Sequence, residues 1–327
     1  MKRFFLLTLA SAALLGASAA PVKTYEVKSP DGRLALVLTA GERLSFTVAR
    51  NGETLVAPSE MALTLSTGEV LGESPRVRSA RRRAVTETID APLYRQSRFD
   101  AAYNELDLRL RGDYGILARA YDDGVCYRFY TERDGELTIV DETAQLNFEG
   151  DPSAYIPYSK TEIPMRTSFE NTYEYAPLSK FRTQTVAFMP VLVDLGERGY
   201  VLYTESDVEA YPGVYLTYDK EAKGFAARFA EYPTETSLTK RFQDVVERSA
   251  DYIARVDGRR SYPWRIVAYA ATATELPVND MVWQTAEASR VADASWVRDG
   301  KIAWDWWNNW GVYGVDFKSG INTETYK

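Results

Sequence analysis

Ser295-Trp296-Val297-Arg298-Asp299-Gly300-Lys301-Ile302-Ala303-Trp304-Asp305-Trp306-Trp307-Asn308-Asn309-Trp310 packs four tryptophans into its last seven residues, and its reading decides the architecture of the chain. Lys301 to Trp307 is a short apolar run between turn residues, Asp299-Gly300 before it and Asn308-Asn309 after it, which predicts one buried strand. A loop should follow. Asn322-Thr323-Glu324-Thr325-Tyr326-Lys327 then predicts the start of a helix, with Asn322 or Thr323 as N-cap and Glu324 in its first turn. Strand, long loop and helix make the first unit of a βα series, and a β/α barrel sets its active site on loops of this kind.

The same stretch bears on ligand chemistry. A pyranose presents apolar C–H faces and a rim of hydroxyls, so indoles flanked by carboxylates and carboxamides suit a sugar surface. Taken singly, each tryptophan reads more readily as core, because large aromatics are mostly buried. The grouped Trp304-Asp305-Trp306-Trp307-Asn308-Asn309 favours the sugar.

Working backward, the chain is almost wholly β in its first half. Arg33 to Leu38 sets three leucines on one face, and Leu44, Phe46 and Val48 repeat the period before the turn Asn51-Gly52. Glu105 to Leu110 alternates charge with leucine, and Asp123-Gly124 is expected to separate the strand ending at Tyr121 from Val125 to Tyr130. Met189 to Asp194 and Gly199 to Tyr203 read as buried strands, and Pro263 to Tyr269 as a final one. Leu276 to Ala294 has helical character. Arg76, Arg78, Arg81, Arg82 and Arg83 form a basic run, read as a solvated strand edge protected by charge, with no chemistry assigned. Ser168 to Tyr175 gathers acids and aromatics in a loop or strand end, where a rigid sandwich can present ligand groups. On residue type alone, Glu174 is an exposed loop carboxylate, and Glu205-Ser206-Asp207 a turn at a strand end.

Trp304 to Asn309, Gly314-Val315-Asp316-Phe317 and Asn322 to Lys327 together resemble the opening of the catalytic barrel in glycoside hydrolase family 97, and the resemblance extends back through nearly all of the chain. It implies a mostly β chain: a large antiparallel β-sandwich followed by the first βα unit of a truncated (β/α)8 barrel. It also implies an α-glycosidase with bound Ca2+, closer to the retaining α-galactosidase-like branch than to the inverting α-glucosidases. By the same resemblance Glu174, with Glu170 in reserve, matches the glutamate that the sandwich sends to the calcium. Glu205, Ser206 and Asp207, with Asp305, Trp306, Trp307 and Asn308, match the segments that meet the α-linked oligosaccharide substrate.

The expected organisation is a signal peptide over 1–19, the sandwich over 20–275, a helical linker over 276–294 and an incomplete barrel over 295–327. A barrel needs about 250 residues, so catalytic carboxylates are expected beyond Lys327 and the fragment should be inactive. The alternative is a free-standing carbohydrate-binding β-sandwich without catalysis; a third, weaker reading is a purely structural exported domain.

Composition narrows the chemistry. The 327 residues carry a net charge of −7, which argues against a nucleic-acid partner. Histidine is absent, so Ser-His, Cys-His and His-metal sites are excluded and carboxylates must carry any acid–base work. Cys126 is the single cysteine and reads as structural. Lys2-Arg3, the apolar run Phe4 to Leu15 and Ala17-Ser18-Ala19 form the three parts of a secretory signal. The apolar run is too short to span a bilayer, so a secreted protein is implied, periplasmic in a Gram-negative source.

Overall fold

The computed structural model describes residues 22–91, 94–159, 165, 169, 171–239, 244–302, 312–320 and 322–327. The signal segment, Glu170, and Asp305, Trp306, Trp307 and Asn308 lie outside them. The chain divides into two compact units, residues 1–287 and 288–327.

The first unit is a two-layered antiparallel β structure. Its spine is the strand Gly124–Ala144, 21 residues long, which at about 3.4 Å per residue is too long for one layer. The start of this strand lies between Tyr114–Tyr121, with Tyr121 opposite Gly124, and Trp264–Ala270, with Ala268 opposite Gly124. Its later part lies between Ala254–Ser261 and the end of Glu53–Leu65, with Ala254 and Leu65 both opposite Ile139. The change of layer passes through an irregularity between Asp257 and Arg259. There Gly135 has φ +76°, and a Cβ on Gly258 would lie 2.6 Å from the Arg133 carbonyl oxygen.

From its outer edge, the first layer runs Val77–Asp90, Arg98–Leu110, Tyr114–Tyr121, the spine, Trp264–Ala270, Tyr200–Ser206, Val191–Asp194, Ser153–Ile156 and Glu174–Pro177. The second begins with Lys23–Lys28, Leu34–Ala40, Leu44–Arg50 and Glu53–Leu65, and continues through Leu146–Asn147 to Gly224–Phe229 and Val214–Asp219. One core lies between them. Leu34, Leu36, Leu38, Leu44, Phe46 and Val48 fill it from one side, as their period-two spacing predicts, and Leu106, Leu108, Ile116 and Tyr127 from the other. Asn51 and Gly52, at φ 51° and 86°, make a two-residue hairpin loop between Arg50 and Glu53.

Two sequence expectations change. The turn after Tyr121 is Asp122-Asp123, not Asp123-Gly124, because Tyr121 pairs with Gly124. Gly124 sits inside the strand for another reason: a Cβ there would stand 2.9 Å from the Ala268 Cα. Helical structure between Leu276 and Ala294 is limited to a 3-10 segment, Ala273–Val278, and one turn of α-helix, Met281–Thr285. Polar and small residues after Thr285 offer no apolar stripe to hold a longer helix against the sheet.

That single turn covers the outer face of the first layer. Tyr103, Tyr121, Cys126, Trp264, Ile266, Ala268 and Met281 form a second apolar cluster beneath it. With both faces covered, all seven residues of Trp264–Ala270 are buried. In the second unit, helix Thr323–Tyr326 is capped by Asn322, whose side chain accepts from the Thr325 N–H at 2.9 Å. No helix among the described residues is long and apolar enough to cross a membrane.

Candidate functional site: a buried ion network at one end of the sandwich

Strand Tyr200–Ser206 turns Val201 and Tyr203 into the core, and alternation turns Glu205 the same way. Its register partner is Arg265. The Arg265 Nη1 donates to Glu205 Oε2 at 2.6 Å, while Nε and Nη2 grip Glu142 at 2.8 and 2.7 Å. Glu142 reaches the same space from the spine, beside Leu63 of the second layer. The Arg265 side chain is 1% exposed, Glu142 3% and Glu205 13%. Glu205 Oε1 also accepts the Val214 N–H at 3.0 Å, and a Cβ on Gly213 would lie 3.0 Å from that oxygen.

Two carboxylates face one guanidinium here, so the buried cluster has one negative charge in excess when both are ionised. Burial pushes the Glu205 carboxyl above its ordinary pKa, against the opposing pull of Arg265 and the Val214 N–H. Burial alone would lower the Arg265 pKa, and Glu142 and Glu205 together with Tyr203 more than reverse that. The hydroxyls of Tyr127, Tyr203, Tyr211 and Tyr262 are buried with no hydrogen bond of ordinary geometry among the described residues, and the charge of Glu142 bears on each of them. They make the surroundings polar inside an otherwise apolar core.

Ser206 and Asp207 point elsewhere. Ser206 lies on the outer face, 2.7 Å from the Thr285 hydroxyl. Thr285 spends its own proton on the Met281 carbonyl at 2.7 Å, so Ser206 is the donor and pins the covering helix. Asp207 has φ +54°, outside the range common for side-chain-bearing residues. Its Oδ1 accepts the Glu287 N–H at 2.9 Å, and Oδ2 lies 3.4 Å from Arg128 Nη1. The Arg128 guanidinium in turn lies 4.4 Å from the Trp264 ring, which Arg119 also approaches at 4.7 Å. Burial lowers the Arg128 pKa, with the charge of Arg119 adding to it.

Glu174 opens the strand Glu174–Pro177 opposite Ile156, a core residue. Tyr175, Tyr155, Leu192 and Leu202 form one row across four strands. Glu174 and Glu205 both lie beyond that row at the same end of the layer. Three strand spacings, about 14 Å, and two residues along the strand, about 7 Å, separate them. Both face the inner side, since Ile156 and Tyr203 do. A line of rings spans the gap: Tyr173 to Phe169 at 5.7 Å, Phe169 to Phe188 at 5.3 Å, and Phe188 to Tyr215 at 5.3 Å. Burial raises the Tyr215 pKa, with the Glu205 charge adding to it. Glu174 is 39% exposed and bonded by Arg182 at 2.6 Å.

The structure therefore sets Glu174 and Glu205 at one end, gives Ser206 to the opposite face and holds Asp207 at the rim against Arg128. Sequence reasoning missed Arg265, Glu142 and the ring line. Arg265 was findable, because an arginine inside Trp264-Arg265-Ile266-Val267 has to be paired once buried. Glu142 and the ring line carry no local signal, being assembled from distant segments. Among the described residues no group of three or more acidic, His or Cys side chains could hold a metal. Glu174 is one donor, whereas Ca2+ takes six to eight oxygens, so the described residues do not form a calcium site by themselves. The cavity of about 830 Å³ beside Thr183, Gln184, Arg228 and Asp244 touches none of Glu174, Glu205, Ser206 and Asp207, the described residues among those singled out by sequence.

A family model described as glycosyl-hydrolase 97 N-terminal matches residues 27–287. The chain belongs to this family. The family 97 match covers the whole two-layered unit after its first few residues. Across 93% of its length the chain is 38% identical to a "Retaining alpha-galactosidase" of Bacteroides thetaiotaomicron, of which it covers 47%. A "Probable retaining alpha-galactosidase" of Streptomyces bingchenggensis is 29% identical over 85% of the chain and 39% of that protein. The chain thus spans about half the length, or less, of these relatives. In fold it is similar to a family 97 enzyme from Pseudoalteromonas sp. strain K8 solved with acarbose, at TM-score 0.76 and 17% identity over 92% of this chain and 44% of that one. A β-arabinopyranosidase structure matches at TM-score 0.62 and 19% identity over 76% and 40%.

Proposed function

We propose that this chain is the N-terminal portion of an exported α-glycosidase that hydrolyses α-linked oligosaccharides, galactosides before glucosides, with retention. The observation that carries this reading is the 38% identity to a retaining α-galactosidase across 93% of the chain, a span that runs beyond the sandwich. Glycoside hydrolysis needs two carboxyl groups across the scissile bond, about 5 Å apart for retention. Glu142 and Glu205 are a carboxylate pair, but Arg265 locks both in the core, so the reading leaves catalysis to groups after Lys327. Glu205 and Asp207, and likewise Asp305, Trp306, Trp307 and Asn308, are proposed as substrate-binding residues by family resemblance, the first two each held by an arginine, Arg265 and Arg128. Calcium is proposed as a shared ion, with Glu174 giving one ligand once released from Arg182 and Glu170 in reserve.

The chain is assayed alone on aryl α-galactosides and α-glucosides, then as the longer protein with the remaining half of its relatives' length. Turnover by the longer protein only, greater on galactosides, is expected. Turnover by residues 1–327 alone would refute the assignment of catalysis. Glu174→Gln in the longer protein should weaken calcium binding, read by calorimetry, while leaving the thermal midpoint of the calcium-free protein unchanged.

A further inference from the structure

We infer that the outer edge of the first layer is a docking surface for a polyanionic polysaccharide. It is formed by the opening half of strand Val77–Asp90 with Arg76 just before it. The strand pairs on one side only, with Arg98–Leu110, and among the described residues no strand meets its other edge. None of its fourteen residues is buried. Arg76, Arg78, Arg81, Arg82 and Arg83 occupy five of eight consecutive positions, in a chain whose net charge is −7. Its carboxylates, Glu87 and Asp90, lie at the other end. The edge is therefore strongly polarised.

Edge protection alone explains part of this, because a charge at an open edge blocks pairing with another chain. It does not explain the rest. One or two charges of either sign suffice for protection, yet five cations are gathered here. Among the described residues only Arg83 has a carboxylate partner, Glu105. Arg82 donates to the Glu26 carbonyl at 3.0 Å, which leaves its charge unneutralised. Two clefts flank the strand, one on each side of the run. One, of about 310 Å³, is bordered by Lys28, Arg82, Arg83 and Asn104 and by two carboxylates, Glu26 paired with Lys28 and Glu105 paired with Arg83. The other, of about 420 Å³, is bordered by Arg81, Arg82 and Arg83 with Leu117 and two carboxylates that already have partners, Glu105 on Arg83 and Arg119 and Asp107 on Tyr130. Planar guanidinium groups bind carboxylate, sulfate and phosphate oxygens through paired N–H donors. The unpaired backbone N–H groups of the same edge add further donors.

A chain ligand fits better than a bilayer. No large apolar side chain between Arg76 and Asp90 is strongly exposed, so nothing is available to insert into lipid. Clefts on both sides of a strand can be followed by a flexible polymer, whereas a flat surface meets one side. Arg81 and Arg83 project from one face about 7 Å apart and can engage successive acidic units. This proposal does not rest on the glycosidase reading, since neither Glu174 nor Glu205 belongs to the edge.

The protein is titrated with heparin, polygalacturonate, neutral dextran and phosphatidylglycerol vesicles at low and high salt. Binding to one or both anionic polymers, suppressed by salt, with none to dextran, is expected. The triple variant Arg78→Gln, Arg81→Gln, Arg82→Gln should bind about tenfold more weakly, from three exposed ion pairs of ordinary strength, at an unchanged thermal midpoint. A control triple variant at the exposed arginines Arg248, Arg255 and Arg259 should bind normally. Equal loss in the control, no loss in the edge variant, absence of polymer binding, or a preference for vesicles would each overturn the proposal.

Discussion

Arg265 has the most demanding position in the chain. Removing a buried arginine that holds two carboxylates leaves like charges unpaired in the core, which costs about 3–5 kcal/mol. Arg265→Ala is expected to lose that much in urea unfolding, and Arg265→Lys most of it, because an ammonium cannot grip Glu142 through two nitrogens while reaching Glu205 with a third. Glu205 carries a pH signature of definite sign. Its folded pKa is raised by burial above the unfolded value, so its contribution is fully present below about pH 4.5 and is lost as pH rises through the folded value. Glu205→Gln should therefore remove part of the fall in stability as pH rises above about 4.5. An unchanged slope would mean that the carboxyl ionises as freely in the fold as outside it.

Among the strands, Gly124 shows how a packing requirement can look like a turn signal. Gly124→Ala forces a methyl against the backbone of the neighbouring strand, where nothing flexible can yield, and should destabilise by about 1–3 kcal/mol. Leu36→Ala, in the middle of the inward row of Leu34–Ala40, should cost about 2–5 kcal/mol through the cavity it leaves. Period-two leucines and the Asn51-Gly52 hairpin were readable because strand alternation and positive φ are local properties. The long spine strand was readable only as its apolar start, Val125 to Tyr130, because the later part mixes Glu132, Arg133, Asp134 and Glu136 into edge-like positions and changes layer. Helical content before Ala294 was overestimated for a related reason: composition permits a helix there, but only Met281 and Thr285 are buried, with Trp283 resting against Tyr94 at 4.9 Å.

Taken whole, the molecule brings residues from four strands and two layers into one ion network, and that assembly is where sequence reading ends. Glu205-Ser206-Asp207 could be singled out as three adjacent polar residues, yet pleating gives them three destinations. Family resemblance located the segment; only register could separate an inward Glu205, a helix-pinning Ser206 and a rim Asp207. Ser206→Ala should accordingly loosen the Met281–Thr285 turn, read as faster amide exchange at Thr285 and Ala286, while leaving the Glu205 side chain in place.

The spine also bears on how the molecule comes apart. Gly124–Ala144 supplies hydrogen bonds to both layers, so neither can lose its order while the other stays whole. Residues 22–287 should melt as one thermodynamic body despite exceeding the size at which single-step behaviour is usual, with calorimetric and van't Hoff enthalpies in agreement. A cut in the chain near Gly135 would divide that body into two halves that melt at separate temperatures.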